Sequence, residues 1–198
     1  MKLIYAFFKI LILSFFLLLF SCLSFQKKIY PDYVKSELKK MYLTDQELQK
    51  WDLKKEQRKS YRDSMEIELD LTCKKNLIVV QDYFNKYGFP GIKENGKETT
   101  MHFWVIVQHG DHNVIFQEKV LNAMSKELKN DNVSSRNYAY LYDRVKKNQK
   151  KQQLYGTQIS WETGKAQPYN LETPNKVNER RIKMGLEPIE DYLKKFSN

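Results

Sequence analysis

The sequence predicts a mainly α fold, a single helix-dominated α+β domain with a small C-terminal β-hairpin. Three observations predict it. No Gly or Pro occurs from Asp32 to Tyr87 or from Asp111 to Tyr155, and long blocks rich in Lys, Glu, Leu and Gln without breakers favour helix. Apolar residues inside those blocks recur at helical spacing. After Tyr155 the breakers crowd together, with Gly156, Gly164, Pro168, Pro174, Gly185 and Pro188, which favours turns and short strands. The chain has 198 residues, 41% of them hydrophobic, enough for one cored domain plus an accessory segment.

The N-terminal 21 residues form that accessory segment. Lys2 and Lys9 precede Ile10–Ser21, which is almost purely apolar, giving a positive n-region and an h-region of secretory length. The run is short for a membrane span, which needs about 20 apolar residues. It ends in Leu19-Phe20-Ser21-Cys22, which resembles the lipobox of bacterial lipoproteins. That resemblance implies cleavage before Cys22, diacylation of its sulfur, and a location at the cell or outer membrane, facing the periplasm or exterior. The expected organisation is a signal peptide over 1–21, a tether over 22–35 and one helix-rich domain over 36–196.

Within the domain, Thr44-Asp45-Gln46-Glu47 matches a capping box and predicts a helix start there. A second helix carries Ile67, Leu71, Leu77, Ile78 and Phe84 and ends at Gly88, with Pro90 beyond. Residues 101–129 read as a third helix through Val107, Val114, Val120, Leu121, Met124 and Leu128. Ser134 or Ser135 caps a fourth with Tyr138, Leu141, Tyr142 and Val145. Tyr155–Ile159 and Gln167–Leu171 flank Glu162-Thr163-Gly164-Lys165 as a hairpin. A helix from about Pro174 to Arg181 and a short one ending at Phe196 close the chain.

The formal charge is +10, but its distribution argues against nucleic acid. Residues 23–62 carry +5, residues 63–143 carry −3 and residues 144–198 carry +6. The densest basic run, Arg144 to Lys151, lacks the interleaved aromatics of a groove reader. Five of the positive charges adjoin the expected anchor, where Lys and Arg rest against anionic headgroups. Seven scattered Gly form neither a P-loop nor a dinucleotide fingerprint. Two Cys exclude a disulfide scaffold. With Cys22 lipidated, Cys73 is the remaining thiol, and its apolar helical surroundings predict a buried structural role.

All three His fall in eleven residues. On one helix His102, His109 and His112 project within roughly 60–80° of each other. His-x-x-His without a third ligand is a weak metal signal, so no metal or cofactor is expected. His102 and His112 read as helix-surface residues. His109 is the candidate acid–base group, since imidazole is the side chain suited to proton transfer near neutral pH, with Asp111 or Asp143 available to orient it.

Four strings stand out: Gln108-His109-Gly110-Asp111, Tyr142-Asp143-Arg144-Val145, Gln153-Leu154-Tyr155-Gly156-Thr157-Gln158, and Val177-Asn178-Glu179-Arg180-Arg181 running into Gly185-Leu186-Glu187-Pro188. In that order, with Gly88-Phe89-Pro90 where Gly-Trp-Pro is common, they resemble the bacterial family catalogued as domain of unknown function 6624, over about residues 36–193. That family often has Asn at Cys73, Arg near Gln49, Ala at Gly110 and Asp at Asn178. The family implies no activity, so function rests on the site.

Two expectations follow from these residues. In one, His109, Asp111 and Asp143 form an acid–base set. Gln108, Arg144, Tyr155, Thr157, Gln158 and Arg181 then hold a small polar or anionic ligand, which the site binds or hydrolyses, the arginines acting as bidentate clamps. In the other, the protein is a non-catalytic structural or protein-interaction lipoprotein, and the same polar groups form a buried network that fixes how helices meet the hairpin. Convergence on an open pocket distinguishes the two.

Overall fold

The computed structural model describes residues 29–50 and 58–196. Among them are seven α-helices and one two-stranded sheet: α1 Asp32–Leu48, α2 Lys59–Tyr87, α3 Ile92–Gln108, α4 Val114–Glu127, α5 Ser135–Asn148, β1 Ile159–Ser160, β2 Gln167–Pro168, α6 Val177–Lys183 and α7 Ile189–Lys194. The helix-dominated α+β expectation holds. Cys22 and the segment expected to be a signal peptide, residues 1–21, lie outside the described residues. No described helix is long and apolar enough to cross a membrane.

The helix α1 starts directly after Pro31, a residue whose fixed φ suits a helix start. The capping-box expectation at Thr44 is therefore corrected, because Thr44 to Glu47 lie in the closing turns of a helix begun twelve residues earlier. Val34, Leu38, Met41 and Asp45 follow one another at i, i+4, i+7 and i+11 and share one face. That face packs on α2 and α3. Just before the helix, Tyr30 is fully buried. Its N–H donates to Asn95 Oδ1 at 2.7 Å and its hydroxyl to the Gly88 carbonyl at 2.8 Å.

At about 1.5 Å per residue, the 29 residues of α2 extend over roughly 43 Å. Only its C-terminal half is buried deeply, through Asn76, Leu77, Val80 and Phe84. Gly88, at φ +77°, ends it with its N–H on the Phe84 carbonyl. The helix α3 is the centre of the bundle, kinked at Gly96 and buried on most sides from Thr99 to Gln108. Phe84, Phe89 and Tyr30 pack around Phe103 with ring centroids 5.9–6.4 Å apart.

The single helix expected over 101–129 is two. It stops at Gln108, and Asn113 restarts it by accepting the Phe116 N–H on its side chain at 3.0 Å. Ser134 caps α5 as expected, accepting from the Asn137 N–H. The hairpin is shorter than expected, with Ile159 opposite Pro168 and Ser160 opposite Gln167. A parallel bridge joins Gln153 to Leu171. The main core lies among α1 to α5. Two smaller apolar clusters, one around Ala139, Tyr155 and Leu186 and one around Val177, Ile189 and Tyr192, hold the C-terminal segment to α5.

Candidate functional site

The break between α3 and α4 builds the first polar group. His109 follows the last turn of α3, with its N–H on the Val105 carbonyl. Its Nδ1 lies 2.7 Å from Asp45 Oδ1, and Asp45 is 2% exposed. A buried carboxylate accepting from Nδ1–H fixes the ring tautomer and leaves Nε2 as the nitrogen available to a ligand. Gly110 turns the chain away. Asp111 then receives Arg144 in a two-pronged pair, Nε on Oδ1 and Nη2 on Oδ2, both at 2.8 Å. Asn148 Nδ2 at 2.8 Å and Gln117 Nε2 at 3.2 Å complete Asp111 Oδ1. Burial pushes the Asp111 carboxyl up, but the Arg144 guanidinium and the two amides outweigh it and hold it below the usual range.

These residues border an open cavity of about 440 Å³. The α2 wall supplies Glu66, Leu69, Asp70 and Cys73, spaced i, i+3, i+4 and i+7 and so on one helix face. Gln49 from the end of α1, the loop residues His109, Asp111 and His112, and Arg144 from α5 close the rest. Cys73 is half-buried at this wall rather than sealed in the core, which corrects the expectation of a buried structural thiol. Burial, then the carboxylates of Asp45, Asp70 and Asp111, push its pKa up to about 11 against a smaller opposing effect of Arg144. It is held as a thiol, which is a poor nucleophile.

The second polar group is remote from solvent. Asp143 is fully buried. It accepts the backbone N–H groups of Leu154, Tyr155 and Thr157 at 2.9–3.2 Å, and the Thr157 hydroxyl at 3.0 Å. Burial pushes its carboxyl up against those donors. Gln153, also fully buried, donates to the carbonyls of Gln158 and Tyr169 and accepts the Gln158 N–H. Arg181 is 0% exposed. It donates to the carbonyls of Glu187 and Tyr155 at 2.6 Å, and its guanidinium lies 4.9 Å from the Tyr192 ring centroid. Burial lowers its pKa. Asp143 takes the Tyr155 N–H and Arg181 the Tyr155 carbonyl, so opposite charges grip the two sides of one residue.

A family model for a family of unknown function, DUF6624, matches residues 59–198. The chain belongs to this family. No curated protein and no solved structure matches it. In this DUF6624 chain the match begins at α2 rather than near residue 36. The helix α1, with Asp45, precedes it.

The structure therefore divides the candidate residues of this DUF6624 chain. His109, Asp111 and Arg144 meet at the cavity. Asp143, Tyr155, Thr157, Gln158 and Arg181 meet in the buried group. Gln108 is buried beside the first set, its carbonyl accepting from Gln117 Nε2 at 3.3 Å. The two arginines do not converge on one anion, because Arg181 is enclosed and Arg144 is bound to Asp111. Neither Asp111 nor Asp143 orients His109. The three His do not share a helix face, since the helix ends between His102 and His109. His102 is buried rather than on the surface, stacked on Tyr42 at 4.5 Å. Burial lowers its pKa. Among the described residues no three His, Cys, Asp or Glu side chains are grouped to hold a metal.

Sequence reasoning gave no role to Gln117, Asn148 or Gln153, the last although it lies in a string singled out above, and read Asp45 only as part of a capping box. Asp45 had a signal. It continues the stripe of Val34, Leu38 and Met41, and a carboxylate on an apolar stripe needs a buried partner.

Proposed function

We propose that this protein is an envelope lipoprotein, anchored through Cys22, whose helical domain binds a small polar ligand in the cavity between α2, the 109–113 loop and α5. His109 is its proton acceptor. The observation that carries this reading is the 2.7 Å contact of His109 Nδ1 with buried Asp45. In such a pair the carboxylate selects the tautomer and stabilises the imidazolium that forms when Nε2 takes a proton from a ligand or a water. Asp111 and Arg144 serve as the wall opposite, each holding the other in place. A structural role suits the second group, because every carboxylate oxygen of Asp143 already faces a donor. On this reading Asp143, Tyr155, Thr157, Gln158 and Arg181 lock the C-terminal segment onto α5 and touch no ligand.

A thermal-shift screen of small polar compounds against the full chain tests the site. Compounds that raise the melting temperature of the wild type should fail to do so with His109→Gln, and should act more weakly with Asp45→Asn. Equal stabilisation of wild type and His109→Gln would remove His109 from the site. The anchor is tested with Cys22→Ser, which should release the protein from the membrane fraction. Retention with normal signal cleavage would overturn it.

A further inference from the structure

We infer that the cavity selects a cationic, amine-bearing ligand rather than an anionic one. This inference rests on the cavity being the ligand site and adds the sign of the ligand's charge. Among the described residues the lining carries three carboxylates, Glu66, Asp70 and Asp111, and one guanidinium, Arg144. Arg144 commits its Nε and Nη2 to Asp111, so this pair presents little net charge. Glu66 has no cationic partner among the described residues. Asp70 pairs with Lys74 at 2.7 Å, but both side chains are about half exposed and Lys74 does not line the cavity. Such a surface pair is weak and yields to a competing cation. Glu66 and Asp70 sit one helical turn apart on α2, on the wall shared with Cys73.

At Cys73 burial is the largest influence; beyond it, the carboxylates of Asp45, Asp70 and Asp111 disfavour the thiolate and Arg144 opposes them, in keeping with the excess of carboxylates along this wall. An anion entering here meets those carboxylates with Arg144, the one lining guanidinium among the described residues, already bound to Asp111. An ammonium meets two carboxylates, with Gln49 and the His109 ring available to its polar remainder. A concave site lined by one sign of charge concentrates ligands of the other.

The experiment uses Cys73 in the full chain carrying Cys22→Ser, which leaves one thiol. Its rates of modification by cationic 2-aminoethyl methanethiosulfonate and anionic 2-sulfonatoethyl methanethiosulfonate are divided by those of N-acetylcysteine amide. The cationic reagent should be favoured about fivefold or more at low salt. Glu66→Gln combined with Asp70→Asn should bring the ratio close to one. In addition, 1,4-diaminobutane should protect Cys73 from neutral iodoacetamide while succinate should not. A normalised ratio of one or less, equal protection by succinate, or a thiol closed to both charged reagents would overturn the proposal. Loss of charge selectivity alongside hits that depend on His109 would remove only the cationic class. Selectivity without such hits would remove the proton-acceptor reading instead.

Discussion

Asp45 and Asp143 are both buried carboxylates, and their partners give them different work. Asp45 spends one oxygen on a titratable ring that faces a cavity. Asp143 spends both oxygens on four donors from a single stretch, Leu154 to Thr157. Replacing Asp143 by Asn removes the charge and turns an NH₂ toward N–H donors that need an acceptor. The expected loss is about 3–5 kcal/mol of unfolding free energy in urea. A loss below about 1 kcal/mol would show that the 154–157 segment is held by its apolar contacts instead. Residue types told where polar chemistry was concentrated. Among the described residues Asp111, Asp143, Arg144 and Arg181 each make two or more side-chain hydrogen bonds, and His109 makes its one side-chain hydrogen bond with Asp45. Their partners were not readable, because Asp45 lies 64 residues from His109 and only packing of α1 on α3 brings the two together.

At the scale of elements, the decisive feature is the interruption of the apolar stripe between Gln108 and Asn113. Val107 and Val114 remain in phase across it, so periodicity alone runs one helix through a turn. In this turn Gly110 lies close against Leu77 of α2. A Cβ there would lie 2.7–2.8 Å from the Leu77 methyls and 3.2 Å from the Val107 carbonyl. Leu77 is fully buried and has little room to yield. Gly110→Ala should therefore cost about 1–3 kcal/mol by overpacking, visible as a lower melting temperature. Leu77→Val in the same chain should recover part of it, since the clash is with the Leu77 methyls. An unchanged melting temperature for the single variant would show that the loop shifts freely.

For the whole molecule, the matched family segment and the folding unit differ. Residues 59–198 match the family, yet Tyr30, Val34 and Leu38 are fully buried in the main core and precede that segment. Each contributes roughly 1.5–3 kcal/mol of burial, a large sum against a typical domain stability of about 5–15 kcal/mol. A 59–198 fragment should thus lack a cooperative thermal transition or melt far below the full chain. A cooperative transition at nearly the same temperature would make α1 an accessory helix.

By itself the sequence determined the helix-dominated class, the Gly88 stop, the Ser134 cap, the hairpin position and the family. Each depends on interactions within a few residues or on local composition. Tertiary structure alone decided that α3 and α4 part at Gln108, that Asp45 orients His109, and that Arg144 and Arg181 serve separate polar groups. Those outcomes depend on which helix faces meet. A helix face carries several residues, and the sequence does not state which of them will find a partner across the bundle.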